Sequence, residues 1–363
     1  MTKSPAVRAS VTLRDVAELV GVTPSAASMA LLDSPRISAK TKDAVREAAA
    51  TLGYVPSSAG RALRNQRAGA IALIVPNTSQ HVFGHSYFMR VLTGVSAAAN
   101  AHDTQVMVST NSDSADGLAA YERVVRSKSA DGAILTSAAI TDFNVEKLAA
   151  SGLPVVLIGN FPYLASVASV GVNDVAASRR ITEHLIRTHN RSRLVHVTGP
   201  LDHQTGIDRR AGFFDAVSSA GIAGEAVVVE GDFGEESGAA AVDQLVDEGT
   251  RFDGIVFAND DMAFGGLQAL ERRGIGVPAE VSIVGFDDFG LSRATTPGIS
   301  TMHVPAEEMA NIATERLFEL IDLENPGASH RELDVTFIPR ESCGCTTEGV
   351  ELAARQHSPA NKQ

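Results

Sequence analysis

Four histidines (His184, His189, His196 and His203) and the pair flanking Gly344 (Cys343 and Cys345) are the side chains in this 363-residue chain best suited to metal ligation. The histidines are not spaced as a ligand cluster. The Cys-x-Cys pair has no second pair in sequence to complete a tetrahedral set, so no metal is expected. The run Asn111-Ser-Asp-Ser-Ala-Asp-Gly resembles a calcium loop, but its spacing is wrong and the closing Glu is missing. No GxSxG, GxxxxGK[ST] or HExxH occurs, and no GxGxxG follows a strand-like run. No catalytic constellation emerges and no cofactor is implied. The chain reads as a binding protein rather than an enzyme.

Charge locates one partner. The formal net charge is −12, which taken whole argues against nucleic acid. Residues 1–67, however, carry ten basic and five acidic side chains, +5, and the remainder is −17. A basic head on an acidic body fits a nucleic-acid module joined to a body kept off the phosphates; the other reading is a solvated N-terminal domain with a small excess of charge. Two cysteines make no disulfide framework, and the N-terminal residues lack an apolar signal core, so a reducing cytoplasm is expected. No run approaches the apolar length of a membrane span.

The elements that position these groups follow from periodicity. In the head, Leu13–Val20 is a helix with Thr12 as its cap and Gly21 as the turn. Thr23 caps a second helix, with Pro24 at its first position and residues 25–32 following. A third helix, Ala39–Leu52, ends at Gly53. Helix, glycine turn, helix, supporting helix is the helix-turn-helix plan, which enters the major groove by the second helix. Residues 57–68 form a short helix or a linker. Beyond residue 70, eight apolar β-branched runs alternate with helical stretches: 71–75, 105–109, 133–136, 155–159, 194–198, 226–230, 254–258 and 281–286. That is the pattern of parallel sheets built from βαβ units. A break near 171–173 splits them into two lobes of four strands with a cleft between; one large doubly wound sheet is the alternative.

The run "LRDVAELVGVTPSAASMALLDSPRISAKTKDAVREAAATLGYVPSSAGRALR" closely resembles the opening of the LacI/GalR family of bacterial transcriptional regulators. The likeness continues through "AIALIVPN", "VVLIGN", "TEHLIRTHNRSRLVHVTGP", "DRRAGFFDAV", "VFANDDMAFGGLQAL", "GVPAEVSIVGFDD", "TPGISTM" and "PRES", spanning about residues 11–343. The resemblance implies an all-α head at 1–56, a hinge helix at 57–69 and a periplasmic-binding-protein-like α/β body at 70–345. One lobe would be 70–173 plus 305–330, the other 174–304 plus 331–345, with 346–363 as a tail. It implies a homodimer that binds double-stranded operator DNA, most simply as a repressor, and answers to a small-molecule effector between the lobes. The main alternative is a solute-binding protein with the same body, which would need export and has no use for a basic head.

Residue roles carry over position by position. Family members read bases with the second and third residues of the second helix and an Arg further along; those positions hold Pro24, Ser25 and Met29. Pro24 has no donor and Met29 offers only apolar contact with a thymine methyl, so the operator should depart from the family's common core. Met29 in the core of the head is the other reading. Thr23, Ser28 and the helix start at Thr12 suit phosphates. Leu63 stands where the family wedges a leucine into a minor-groove step, flanked by Arg61 and Arg64; the plainer reading is a linker contact.

In the body, the effector positions hold Asn77, Arg209, Asn259 with Asp260, and Asp287. An arginine fork with Asp and Asn acceptors suits the adjacent hydroxyls of a sugar. Plainer readings place Asp260 and Asp261 as helix caps, Asp288 in a solvated loop, and Arg209 in an ion pair. The loop after the first strand is about five residues longer than the family's pattern. Its Phe83, His85, Tyr87 and Phe88 suit stacking on the apolar face of a ring; the other reading makes Phe83, Tyr87 and Phe88 core residues of the following helix. The tail lacks a leucine heptad repeat, which favours a dimer over a tetramer.

Overall fold

A computed structural model describes residues 11–54, 67–112, 119–322 and 327–345. The chain divides into two compact units, residues 1–68 and 69–363. In the first unit lie α1 (Leu13–Val20), α2 (Pro24–Leu31) and α3 (Ala39–Leu52). Each start is fixed by a side-chain cap. Thr12 Oγ1 accepts from the Asp15 N–H at 3.4 Å while the Asp15 carboxylate accepts from the Thr12 N–H at 2.7 Å, a reciprocal capping box. Thr23 Oγ1 accepts from the Ala26 N–H at 3.2 Å, and Ser38 Oγ from the Thr41 N–H at 3.3 Å. Gly21, at φ 74°, ends α1 in the left-handed region and turns the chain into α2. Val16, Ala17, Ala27, Ala30, Val45, Ala48 and Ala49 form the core of this unit. Its small residues let the three helices cross closely.

The second unit holds two parallel sheets. The larger one has six strands: β1 (Ala70–Thr78), β2 (Gln105–Asn111), β3 (Gly132–Thr136), β4 (Val155–Ile158), β5 (Ala168–Val172) and β11 (His330–Leu333), in the order β11-β5-β4-β3-β1-β2. The smaller has four: β6 (Leu194–Thr198), β7 (Val227–Glu230), β8 (Gly254–Phe257) and β9 (Ser282–Val284), in the order β7-β6-β8-β9. Strands such as β3, β4, β6 and β8 are buried along their whole length, because helices cover both faces. A third, two-stranded ladder pairs β10 (Thr301–His303) antiparallel with β12 (Thr336–Ile338).

The expected two-lobe division is the observed one, but with more strands than the apolar runs mark. β5 lies just before the break, and β11 returns late in the chain to pair with it in parallel, His330 beside Ser169 through Leu333 beside Val172. The larger lobe therefore extends to Leu333 rather than residue 330. β11 is exposed along most of its length, so its sequence carries no apolar run to announce it. The chain passes between lobes after β5, after β10 and after β11.

The covering helices are α4 (Ser79–Gly84), α5 (Ser86–Ala101), α6 (Ala119–Ser127), α7 (Asn144–Ala149) and α12 (Ala306–Asp322) in the larger lobe. In the smaller lobe they are α8 (Asp174–His189), α9 (Gln204–Ser219), α10 (Glu235–Asp247) and α11 (Asp260–Arg272). α10 and α11 meet at glycines. A Cβ on Gly265 would stand 1.9 Å from the Glu235 carbonyl oxygen and one on Gly238 2.1 Å from that of Met262, so neither position admits a side chain. Among the described residues, no helix is long and apolar enough to cross a membrane.

Candidate ligand cleft and DNA-reading helix

Strand ends and helix starts from both lobes converge on a cavity of about 120 Å³. At its floor Arg209, on the second turn of α9, is almost fully buried. Its Nε donates to Asp174 Oδ1 at 2.8 Å, its Nη2 to Asp287 Oδ1 at 3.2 Å and its Nη1 to the Ala258 carbonyl. The guanidinium lies 3.7 Å from the centre of the Phe286 ring. Asp174 is the first residue of α8, where the helix N-terminus favours a negative charge. Burial raises the carboxyl pKa of Asp174, and pushes Asp287 up to about 6, with Arg209 pulling both back down. For Arg209 burial acts against the charge, and the two carboxylates more than offset it. The result is a desolvated Asp–Arg–Asp triad with one excess negative charge.

The neighbouring acids have other work. Asn259 caps α11: its Oδ1 accepts from the Met262 N–H at 3.0 Å and its Nδ2 donates to the Phe233 carbonyl at 2.8 Å. The cap is thus Asn259 and not Asp260 or Asp261. Asp260 is buried, accepting from Thr301 Oγ1 at 2.7 Å and from the Phe289 N–H at 3.2 Å. Burial holds its carboxyl well above the usual range. Asp288 is not a solvated loop residue: its side chain is 2% exposed, between Arg340, Arg293 and His303. Those hydrogen bonds outweigh burial and keep its carboxyl below the usual range. Asp287 and Asp288 sit at φ 106° and 62°, a left-handed turn that points one carboxylate at the cavity and the other into the lobe.

The larger lobe supplies the apolar walls. The lengthened segment after β1 folds as α4 and the start of α5. Val82 faces the core at 2% exposure, which turns Phe83 outward at 57%; Phe83 does not line the cavity. Phe88 does, while also belonging to the core, so the two readings of that residue coincide. Tyr87 joins it, its hydroxyl 3.3 Å from Thr136 Oγ1; burial lifts its pKa to about 12, so it stays a neutral donor. His81 lines the cavity too and is held neutral, lowered to about 4 by burial and by His85. Asn77 falls inside β1, its Oδ1 accepting from the adjacent Thr78 N–H at 2.7 Å, and lies off the cavity. Polar contacts span the cleft. His85 Nδ1 is 3.2 Å from Asp261 Oδ2, Asn160 Nδ2 donates to Asp208 Oδ2 at 3.2 Å, and the Ile140 N–H donates to the Asp202 carbonyl at 2.7 Å.

Of the expected effector residues, Arg209, Asn259, Asp287 and Phe88 are therefore brought together, and Asn77 and Phe83 are not. Asp174, Asn160 and Gln204 line the same cavity without having been singled out. Asp174 was legible as the first acid of a helix that begins where the lobes divide.

In the head, α2 buries Ala27 and Ala30 and turns the opposite face to solvent. Thr23, Pro24 and Ser25 are exposed, and Ser28 and Met29 are half-buried outside the core cluster. Pro24 with Ser28 and Ser25 with Met29 are i, i+4 neighbours on that face. The helix carries no charged side chain. Both the amide and the hydroxyl of Thr12 go to Asp15. A phosphate at that end of α1 would have to displace the carboxylate, so Thr12 is a cap first. Arg61, Leu63 and Arg64 lie outside the described residues.

Residues 12–57 match the profile of bacterial regulatory proteins of the lacI family, and residues 182–343 that of a periplasmic binding protein-like domain. The chain belongs to the LacI family. The regulator CelR of Thermobifida fusca is 29% identical over 337 residues, covering 91% of this chain and 98% of that one. The structure of a CelR–cellobiose complex is 27% identical, with a TM-score of 0.69 over 92% of this chain and 99% of that one. A lac repressor dimer bound to operator shares the fold at 23% identity, with a TM-score of 0.82 over 92% and 99% of the two chains. This LacI-family chain departs from the absence of a metal-ligand cluster expected from spacing. Folding brings His184 and His189, at the end of α8, against Cys343 and Cys345, their four ligand atoms within 4.8 Å of one another.

Proposed function

We propose that this protein is a homodimeric transcriptional repressor of the cytoplasm whose affinity for operator DNA is set by a carbohydrate in the interlobe cleft. The Asp174–Arg209–Asp287 triad carries the ligand half of this reading. Its fixed donors and acceptors sit beside Tyr87, Phe88 and Phe289, and a sugar offers adjacent hydroxyls for the former and an apolar ring face for the latter. The likeness to CelR, solved with cellobiose, supports the same class. Contacts across the cleft supply the two-state element, since a ligand that replaces them shifts the balance between lobe arrangements. For the DNA half, α2 presents Pro24, Ser25, Ser28 and Met29, with Thr23 donating to phosphate. Because no Arg stands on α2, the operator should be read through apolar and hydroxyl contacts.

Selection of bound duplexes from genomic DNA, followed by thermal-shift screening against mono- and disaccharides, tests the reading. A specific duplex and a stabilising sugar are expected; failure to enrich any duplex would contradict it.

Ligand affinity should depend on pH. Asp287, raised to about 6, is an acceptor above that pH and loses acceptor capacity as it protonates below it. Titration calorimetry at steps from about pH 8 down to about pH 5 should show binding weaken through pH 6. Affinity that holds constant or rises would remove Asp287 from direct hydroxyl contact.

A further inference from the structure

The geometry points to a zinc-binding site made by His184, His189, Cys343 and Cys345, which clamps the chain's last crossover to α8. His184 Nε2 lies 3.1 Å from His189 Nε2, 3.5 Å from Cys343 Sγ and 3.6 Å from Cys345 Sγ; Cys345 Sγ is also 3.6 Å from His189 Nε2. A tetrahedral zinc with Zn–S of about 2.3 Å and Zn–N of about 2.1 Å has N···N edges of about 3.4 Å and N···S edges of about 3.6 Å. Four of the six edges thus already stand near these lengths, and all four ligand atoms lie within 4.8 Å of one another, so small side-chain rotations complete a Cys₂His₂ tetrahedron. His184 and His189 are separated by four residues on one helix, a spacing common in structural zinc sites, so the expectation that the histidines lack ligand spacing does not hold for this pair.

The surroundings support the corners. Thr188 Oγ1 lies 3.3 Å from His184 Nδ1, a partner for the ring nitrogen that faces away from the metal. The Cys343 carbonyl accepts from Ser282 Oγ at 2.8 Å, and the buried Ser342 donates its hydroxyl to the Ile283 carbonyl at 2.8 Å, so the cysteine loop is tied to β9. Gly344, between the cysteines, is at φ 108°, and a Cβ there would stand 2.9 Å from His189 Nδ1. Only glycine lets the loop close on the histidines. His184 also packs on Phe337 in β12, ring centres 4.5 Å apart. Metal would therefore hold β12, the segment through which the chain re-enters the smaller lobe. This site lies outside the proposed carbohydrate cleft, so it stands or falls separately.

The full-length chain, purified under reducing conditions with zinc sulfate added and the excess removed, should hold about one zinc per chain by elemental analysis. Cobalt exchanged into it should show the thiolate charge-transfer and intense ligand-field bands of tetrahedral coordination. Cys345→Ser and His189→Gln, both at half-buried positions, should bind zinc about 100-fold or more weakly. Chelation should lower the melting temperature of wild type and leave that of the variants unchanged. Zinc far below one per chain in reduced wild type, an octahedral cobalt spectrum, or variants that bind as tightly as wild type would each overturn the site. So would a disulfide between Cys343 and Cys345 that persists in the reduced preparation.

Discussion

Replacing Arg209 with alanine should destabilise the protein by about 3–5 kcal/mol, because it leaves two buried carboxylates facing each other without their cation. Asp174 and Arg209 are each 7% exposed at the side chain and Asp287 is 11%, so the carboxylates have little contact with bulk water. Part of the loss is recoverable by letting Asp287 protonate: removing Arg209 takes away the group that pulls its pKa down to about 6, so the carboxyl of the variant protonates at higher pH and the loss should shrink as pH falls toward 6. The sign follows from the raised value: the protonated form is the one the folded state favours. Arg209→Lys separates folding from recognition. Lysine restores a positive charge but not the planar fork that reaches Asp174, Asp287 and the Ala258 carbonyl at once. That variant should fold, bind operator as wild type does and respond poorly to ligand. Urea denaturation and ligand titration check both. An Arg209→Ala protein of unchanged stability would mean the triad is far more hydrated than its burial indicates.

The head alone, residues 1–67, should bind operator about 10²–10⁴-fold more weakly than the full chain. It is a unit with its own core, so it should fold. What it lacks is the body that, in a dimer, makes the second half-site contact intramolecular. The head is also the basic part, so its weak binding should remain steeply salt-dependent, and the comparison must be made at one ionic strength. Fluorescence anisotropy on a selected duplex gives both constants. Equal affinities would mean that dimerisation through the body adds nothing.

The head was legible nearly to the residue, because each boundary is written in local chemistry: Thr12, Thr23 and Ser38 as caps, Gly21 and Gly53 as left-handed stops. Eight of the strands were legible for a similar reason, being continuous apolar, β-branched runs. β5, β10, β11 and β12 were not: Ser169 and Gly171 interrupt β5, and the other three are only three or four residues long and are defined by distant partners. In the cleft, Arg209 and Asp287 stood out by type and position. Asn77 lies off the cavity because it is still within β1 and its amide oxygen turns onto the Thr78 N–H, and Phe83 because the helical turn after β1 rotates it outward behind Val82, a phase that apolar content alone does not set. The His–Cys cluster was the largest omission. Neither half has the ligands for a metal, and only the packing of the C-terminal loop against the end of α8 brings them together.

The central claim is that ligand in the cleft changes operator affinity. The direct measurement is the dissociation constant for the selected duplex with and without a saturating amount of the stabilising sugar, at fixed salt. A change of about 5–150-fold, abolished by Arg209→Lys, is the predicted result. An operator affinity that the bound sugar leaves unmoved would contradict it.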